Sequence, residues 1–239
     1  MGESLHGSSV VVVGGTSGIG LATARMAQAA GATVTIAGRD EGRLAAALAE
    51  LGGDARGVTL DVADEEAVAA VFASLDAVDH VVSLAGTHVH GALTELDRAT
   101  LDGPVGNRFW GPLFLCKHAA PRMTGGSITF CTGAGLARPR KGAAIVTAAA
   151  GGSEFLARAM AVELAPIRVN VIRPGIVDTP LLDRLAGGQR EGLIEGMAKR
   201  VPLGRVAQPE DIAEAILFLM TSSYTTGETL TVDGGIGLV

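Results

Sequence analysis

The stretch that decides the fold of this chain is Val13-Gly14-Gly15-Thr16-Ser17-Gly18-Ile19-Gly20. It follows a β-branched run, Ser9–Val13, that is predicted as a strand, and it opens a predicted helix, Ser17–Ala30. Glycines in such a turn let the backbone approach a pyrophosphate, and the free N–H groups of a helix N-terminus bind it. A tight turn also needs glycine for its own backbone, so the spacing alone is a weak signal. After the first strand of an alternating chain, it predicts a dinucleotide site formed by Gly14, Thr16, Ser17, Gly18, Ile19 and Gly20.

Strands and helices alternate along the whole chain. Short apolar or β-branched runs predict the strands Ser9–Val13, Thr33–Ala37, Val58–Leu60, Val78–Ser83, Ser127–Cys131, Arg168–Ile172 and Thr229–Val232. Helical spacing of apolar residues predicts the helices Ser17–Ala30, Glu41–Leu51, Glu65–Leu75, Arg98–Met123, Ala143–Leu164, Leu181–Arg200 (interrupted at Gly187-Gly188) and Pro209–Met220. Continuous apolar strands joined by helices favour a parallel sheet buried on both faces. We therefore expect an α/β chain with one Rossmann-like domain over residues 1–239, a doubly wound parallel sheet of about seven strands flanked by helices.

Composition narrows the classes of function. The chain has 239 residues, 48% hydrophobic and 18% charged, which excludes disorder as its main state. A net charge of -6, with scattered Lys and Arg, argues against nucleic acid as a partner. Glycines interrupt the longest charge-free run, residues 7–24, so we expect no membrane span. The N-terminus lacks a secretory pattern, and two cysteines form neither a disulfide framework nor a zinc motif, so we expect a cytoplasmic protein without a metal.

The end of the second predicted strand bears on cofactor choice. It reads Ile36-Ala37-Gly38-Arg39, where an acidic residue would bind the ribose 2′-hydroxyl of NAD. Gly38 leaves space there, and the planar cation of Arg39 suits a 2′-phosphate. This pattern predicts NADP(H) in preference to NAD(H). The alternative is that Arg39 is a solvated loop residue that pairs with Asp40 or Glu41.

Further motifs carry a family resemblance. They are Leu60-Asp61-Val62, Ser83-Leu84-Ala85-Gly86, the run from Arg168 through Pro174-Gly175-Ile176-Val177-Asp178-Thr179, and the segment Thr226–Gly235. With the glycine-rich turn, they make the chain from Gly14 to Gly235 resemble the short form of the short-chain dehydrogenase/reductase family. The resemblance implies that Asp61 and Val62 lie near the adenine and that Ala85 and Gly86 belong to the cofactor site. It also implies that Pro174, Gly175, Ile176 and Thr179 flank the nicotinamide and pyrophosphate.

The resemblance fails at the residues that carry the family's chemistry. The family uses an Asn, a Ser, a Tyr that exchanges a proton, and a Lys four residues after the Tyr. In this chain those positions fall on Arg108, Gly133, Val146 and Ala150. The only tyrosine, Tyr224, is followed by no lysine. Since valine and alanine cannot move a proton, the family's usual carbonyl–alcohol mechanism is not expected here.

Three residues are candidate catalytic substitutes: Arg108, Thr132 and His88. We expect Arg108 to fill the space left at Gly133, Val146 and Ala150 and to supply a cation, although arginine cannot donate a proton near neutral pH. A one-residue shift of the alignment would make Thr132, and Asn107, partial replacements. His88 could donate a proton, but it is also read as a plain loop histidine.

Three classes of function stay open. One is an NADP(H)-dependent oxidoreductase with a nonstandard proton route and a small-molecule substrate such as a quinone or activated alkene. Another is a non-catalytic NADP(H)-binding sensor, scaffold or partner subunit, and the last is a lyase or isomerase that reuses the pocket. A basic loop group (Arg138, Arg140 and Lys141) is either solvated or recognises an anionic substrate. The family's assembly implies a homo-oligomer, a dimer or tetramer, through the helical regions Arg98–Met123 and Ala143–Leu164.

Overall fold

The structure is a computed structural model that describes residues 4–87, 89–186 and 188–239, without the side chains of 184–186. Its strands are β1 (Ser9–Val13), β2 (Thr33–Gly38), β3 (Arg56–Thr59), β4 (His80–Ser83), β5 (Ser127–Cys131), β6 (Arg168–Pro174) and β7 (Thr229–Val232). All neighbouring strands pair in parallel, in the order β3-β2-β1-β4-β5-β6-β7. This is the predicted doubly wound α/β sheet, and the strand order reverses between β1 and β4.

The helices lie on both faces of the sheet. They are α1 (Gly18–Ala29), α2 (Glu41–Leu51), α3 (Glu65–Ala73), α4 (Arg98–Val105), α5 (Gly111–Ala119), α6 (Ala144–Glu163), α7 (Pro180–Ala186), α8 (Arg190–Ala198) and α9 (Pro209–Thr221). Alternate residues of β1 face opposite sides. Val10 and Val12 pack in the core formed with α1, α2 and α9, and Val11 and Val13 in the core formed with α3, α5 and α6. Two buried faces explain why the strands are continuously apolar.

Helix starts differ in how their free N–H groups are satisfied. The side chains of Asp40, Asp64 and Asp97 cap α2, α3 and α4 by accepting hydrogen bonds from backbone N–H groups three residues ahead. Ser17 precedes α1 but makes no capping side-chain bond, and the first turn of α1 contains no acidic residue. The N-terminus of α1, at the glycine-rich turn, is therefore left open toward an anion.

The predicted single helix over Arg98–Met123 is wrong in one respect. After α4 the chain forms a π-helical turn, Gly106–Trp110, before α5 begins, and it ends in a 3-10 turn, Ala120–Arg122. Pro112 has no N–H to donate to the carbonyl oxygen of Arg108, as residue 112 would in a regular α-helix. Gly111 donates to the carbonyl oxygen of Gly106, five residues back, which is the π-helical spacing.

Other predicted boundaries shift by a few residues. The third strand begins at Arg56 and ends at Thr59, where Val58–Leu60 was expected, because it pairs with β2 from Thr35 onward. The fourth begins at His80 rather than Val78. The segment Leu181–Arg200 divides into α7 and α8, as its glycine pair predicts, although Gly187 itself lies outside the described residues.

Among the described residues, α6 is long and apolar enough to cross a membrane by length and composition alone. Core helices of folded domains pass the same test. In the structure α6 packs against β6, and its Glu154 forms an ion pair with Arg173 of that strand. This packing agrees with a helix of the α/β domain, and the expected absence of a membrane span stays a prediction.

Candidate functional site

The glycine-rich turn folds tightly against the end of β4. Gly14 has a φ of +82°, and a Cβ placed on it would lie 3.0 Å from the backbone of both Leu84 and Ala85. A Cβ on Gly20 would lie 2.0 Å from the carbonyl oxygen of Gly14. Both positions therefore need glycine, one for its backbone angle and one for close approach of the helix to the turn.

The turn after β6 joins the same site. A Cβ on Gly18 would lie 2.9 Å from Cγ2 of Thr179, so the two loops are in contact. A Cβ on Gly175 would lie 2.6 Å from Cα of Asp233, which follows β7. The predicted cofactor segments thus meet at the carboxyl edge of the sheet, where ligands of this fold bind.

These segments fit a dinucleotide. The uncapped N-terminus of α1 suits a pyrophosphate, and the glycines of the turn let it pack directly on the backbone after β4 and on Thr179. Ile19 is partly buried and Pro174 is buried, and their places in a cofactor site stay predictions. Val62 packs its side chain on Gly111, with Cγ2 only 2.8 Å from a Cβ placed there, so it can offer a cofactor mainly its backbone. The individual contacts remain predictions from the sequence.

Arg39 and Asp61 face each other where the family resemblance predicts the adenine of the cofactor. Nη1 of Arg39 lies 3.8 Å from Oδ2 of Asp61, and the two side chains are 64% and 44% exposed. A Cβ on Gly38 would lie 2.7 Å from Cγ2 of Thr16, so this corner is also closely packed. The sequence alternative placed Arg39 beside Asp40 or Glu41; the ion pair in the structure is with Asp61. An ion pair at this distance and exposure is weak.

The π-helical turn brings two neighbouring polar residues to the inside together. Asn107 and Arg108 are 6% and 7% exposed. A regular α-helix turns successive side chains by about 100°, so the wider turn changes which of them face inward. Thr87 donates its hydroxyl proton to Oδ1 of Asn107 at 2.5 Å. Both candidates for the family's Asn position are therefore buried beside the end of β4.

The guanidinium of Arg108 lies on the backbone of Gly86. A Cβ on Gly86 would lie 2.6 Å from Nη2 of Arg108, and Nε of Arg108 donates to the carbonyl oxygen of Thr87 at 3.4 Å. Burial lowers the pKa of this guanidinium, and the nearby Cys131 partly offsets that effect. Burial also raises the pKa of the Cys131 thiol to about 11, against the pull of Arg108. At neutral pH the pair is a cation beside a neutral thiol.

The positions of the missing acid–base groups are open or apolar. A Cβ on Gly133 would meet no atom within 4 Å, and Ala150 on α6 is buried. Tyr224 lies beyond the end of α9 with a fully exposed side chain, so its phenol is no part of this site. Whether Arg108 takes over the space of Val146 and Ala150 stays a prediction. His88 lies outside the described residues.

Thr132 belongs to a polar network that the sequence did not reveal. Its hydroxyl donates to Oε1 of Glu154 at 3.0 Å, and Nε of Arg173 donates to the same oxygen at 2.9 Å. The side chains of Glu154 and Arg173 are 14% and 23% exposed. Because its proton is held by a carboxylate, Thr132 can accept a hydrogen bond from a substrate but does not donate one in this arrangement.

Of the three basic residues in the loop after β5, only Arg138 lines a cavity. Arg138 lines a cavity of about 620 Å3 together with Lys199 and Arg200, which the sequence did not single out. Arg140 and Lys141 are exposed and do not line it. A search of the described residues for three or more His, Cys, Asp or Glu side chains that could hold a metal ion found no group.

Comparison with known proteins places the chain in a family. A family model described as enoyl-(acyl carrier protein) reductase matches residues 13–237. Short-chain dehydrogenase/reductase ATR9 of Stachybotrys chlorohalonatus is 34% identical, over 97% of this chain and 98% of that protein. Cis-4-hydroxycyclohexanecarboxylate dehydrogenase of Sinomonas cyclohexanicum is 37% identical, over 98% of each.

Solved structures agree with these relatives. The reductase/Diels-Alderase MalC of Malbranchea aurantiaca has a TM-score of 0.92 and 32% identity over 98% of both chains. An actinorhodin polyketide ketoreductase variant, solved with NADPH, has a TM-score of 0.91 and 29% identity over 100% of both chains. The chain belongs to the short-chain dehydrogenase/reductase family of oxidoreductases, whose members bind nicotinamide cofactors.

Proposed function

We propose that this chain is an NADP(H)-dependent oxidoreductase for a small molecule whose reduction needs no acid from the protein, such as a quinone or an activated alkene. The proposal rests on two features that occur together: a cofactor cradle that is present and acid–base positions that are apolar. The glycine contacts of the cofactor cradle are present, while apolar Val146 and Ala150 stand at the positions that the resemblance gives to the proton donor and its lysine. Bound cofactor supplies the hydride, and the protein positions the acceptor.

Arg39 supports the preference for a 2′-phosphate. Its side chain is mostly exposed, and among the described residues it forms one ion pair, at 3.8 Å, so it can turn toward a phosphate without breaking a strong contact. An NADPH-bound relative of similar structure supports the same cofactor. Asp61 is the neighbouring anion, and a 2′-phosphate would compete with it for Arg39.

Arg108 supports a reaction that develops negative charge. Its buried guanidinium lies beside the ends of β4 and β5, where the acceptor end of the site is expected. A buried cation stabilises an enolate or hydroquinone anion, since electrostatic interactions strengthen where water is excluded. It does not supply a proton, so the product anion takes one from water or another group.

The test begins with cofactor binding. We expect NADPH to bind more tightly than NADH in a fluorescence titration, with Arg39→Ala reducing that preference. NADPH oxidation is then compared between a quinone and enone panel and a simple ketone panel, and the former should be faster. Arg108→Ala should slow turnover. Failure of both cofactors to bind would contradict the proposal, as would equal turnover of simple ketones.

The same experiment separates the other classes of function. Tight NADPH binding with no oxidation by any acceptor would favour a sensor, scaffold or partner subunit. Consumption of a substrate without NADPH oxidation would favour a lyase or isomerase. The relative described as a reductase/Diels-Alderase supports the lyase or isomerase candidate, because that description joins a redox activity with one that is not redox.

The assembly and setting are proposed with the activity. Phe155 and Val162 on α6 are 72% and 82% exposed, and Trp110 is also exposed beside α5. Large apolar side chains on one exposed face favour contact with a second copy. We infer a homo-oligomer, a dimer or tetramer, in the cytoplasm, without a nucleic-acid or membrane partner. Light scattering should give a mass at least twice 24.1 kDa, and Phe155→Glu should reduce it.

A further inference from the structure

A shallow basic depression, largely open to solvent, lies at the carboxyl edge of the sheet, and we call it the basic cavity. Its volume is about 620 Å3, and it opens between the loop after β5, the end of α8 and the residues after β7. Its cations are Arg138, Lys199 and Arg200, and its apolar residues are Val201, Pro202, Ile236 and Val239. The three cations come from two segments that are far apart in sequence, so only the fold brings them together.

Two layers of contact connect this cavity to the cofactor cradle. Gly175, in the turn after β6, is packed so closely on Asp233 that a Cβ would lie 2.6 Å from its Cα. A Cβ on Gly234 would lie 2.6 Å from Cγ1 of Val201, which lines the cavity. The other side is bounded by the loop that begins at Thr132. The cavity is therefore adjacent to the end of the cradle where the nicotinamide is expected.

The cations of the cavity are not engaged elsewhere. Within the described part of the chain, the side chains of Arg138, Lys199 and Arg200 take part in no hydrogen bond or ion pair. The neighbouring carboxylate of Asp233 accepts from the N–H groups of Gly235 and Gly237, at 2.8 and 3.0 Å, and so faces its own turn. Some other arginines are paired, as Arg205 is with Asp211, whereas Arg43, Arg56 and Arg140 have no side-chain partner among the described residues.

The charge of the cavity opposes that of the whole chain. The net charge is -6, yet no aspartate or glutamate lines this cavity. Its wall stays net positive even when a terminal carboxylate at Val239 is counted against the three cations. Such a concave surface raises the local concentration of anions. The apolar residues beside the cations suit a hydrocarbon body.

We propose that this cavity is the subsite for the oxyanion of the substrate, a carboxylate or phosphate monoester on an apolar body. The proposal rests on the proposed function, since it places the anionic end of the molecule that accepts the hydride. Arg138 and Arg200 each offer several N–H donors that can bind an oxyanion, and Lys199 adds a point charge. The apolar body then packs on Val201 and Pro202 and extends toward the cradle.

The test uses fluorinated probes on the full chain, with and without saturating NADPH. Binding of 4-fluorobenzoate, 4-fluorophenyl phosphate and the neutral 4-fluorobenzamide is followed by the 19F line width of each probe. We expect at least one anion to bind about fivefold or more tightly than the amide, and its affinity to fall as NaCl rises from about 50 to about 500 mM. The two anions distinguish a carboxylate from a phosphate subsite.

Matched variants locate the binding. Arg138→Gln/Arg200→Gln should weaken the better anion about tenfold and leave the amide unchanged. The control Arg43→Gln/Arg56→Gln removes two arginines from the opposite side of the sheet, on α2 and β3, and should leave both affinities unchanged. Circular dichroism and the thermal midpoint show whether each variant is folded.

The outcomes separate this subsite from the proposed function. Equal binding of anion and amide, no anion binding at all, or unchanged anion affinity in the Arg138→Gln/Arg200→Gln variant would overturn the subsite. NADPH binding is measured independently on the same samples. A chain that binds the anion but neither NADPH nor NADH would keep the subsite and refute the oxidoreductase.

Discussion

The hydroxyl of Ser153, on α6, donates a hydrogen bond to the backbone carbonyl oxygen of Arg108. In a regular helix this carbonyl would accept from residue 112, but Pro112 has no N–H to give. A side chain from the neighbouring helix thus supplies the donor that the sequence of α5 removes. The contact fixes the π-helical turn, and with it the backbone that carries the buried guanidinium of Arg108, against α6.

Ser153→Ala should therefore destabilise the folded chain more than the loss of one hydroxyl group at the surface would. The carbonyl oxygen of Arg108 would lose this donor in a buried place, which costs about 1–3 kcal/mol, and the thermal midpoint should fall by several degrees. Urea unfolding measures the difference. Ser74→Ala is the matched control, because the hydroxyl of Ser74 also donates to a backbone carbonyl oxygen, that of Val71 in α3, but is exposed. Equal midpoints for the two variants would show that Ser153 does not support the turn.

Gly20→Ala should remove cofactor binding. The new Cβ would lie 2.0 Å from the carbonyl oxygen of Gly14, so the helix must move away from the turn. We expect NADPH affinity to fall about tenfold or more, which corresponds to about 1.4 kcal/mol or more of lost binding. Gly192→Ala, in α8 with no atom within 4 Å of the new Cβ, is the control for adding a methyl group to a helical glycine. A fluorescence titration with unchanged NADPH affinity in Gly20→Ala would contradict the role of this contact.

His80 should make stability depend on pH. Burial lowers its pKa to about 4 from an ordinary 6.5, so below pH 6.5 the unfolded chain binds a proton that the folded chain does not. The stabilising contribution is present above pH 6.5 and is lost as pH falls toward 4. Between pH 7 and pH 5 the loss should be about 2 kcal/mol.

Two variants separate this titration from the hydrogen bond that His80 makes. Nδ1 of His80 lies 2.9 Å from Oγ of Ser127. His80→Gln should reduce the loss of stability between pH 7 and pH 5, measured by urea unfolding. Ser127→Ala removes the hydrogen bond but keeps the histidine, so it should lower stability and retain the pH dependence. A His80→Gln chain with the same pH dependence as the parent would refute the assignment.

The repeating part of the fold could be predicted because local patterns carry it. Val10 to Val13 are all apolar, and the structure buries alternate members of this run on opposite faces of the sheet. The glycine-rich turn is likewise predictable, since the positive φ of Gly14 and the contact of Gly20 with the carbonyl oxygen of Gly14 are local, although Gly14 also packs on Leu84 and Ala85. The sequence predicted one continuous helix over Arg98–Met123, where the structure has a π-helical turn between α4 and α5. Pro104 and Pro112 were the signals in the sequence that this helix would be interrupted.

The part of the candidate site around Thr132 depends on contacts that no local pattern encodes. Glu154 and Arg173 meet only because α6 lies at one angle across β6. Arg138 joins Lys199 and Arg200 only because the loop after β5 and the end of α8 reach the same edge. An isolated charge in a helix looks the same in sequence whether it is solvated or paired. The glycine-rich segments were therefore visible in the sequence, but the ion pair and the cluster of cations beside them were not.

Arg173→Met should destabilise the folded chain, because Arg173 pairs with Glu154 in the network that also contains Thr132. It leaves a mostly buried carboxylate without its cation, which costs about 2–4 kcal/mol when the partial exposure of both side chains is allowed for. Adding Glu154→Gln to Arg173→Met removes the unpaired charge and should recover part of that stability, because the two residues interact directly. Arg98→Met is the control, since the ion pair of Arg98 with Asp102 is largely exposed. The thermal midpoint of this variant should stay near that of the parent chain. If the double variant were as unstable as the sum of its two single variants, the carboxylate and guanidinium would be independent, and Thr132 would not be held by a preformed acceptor.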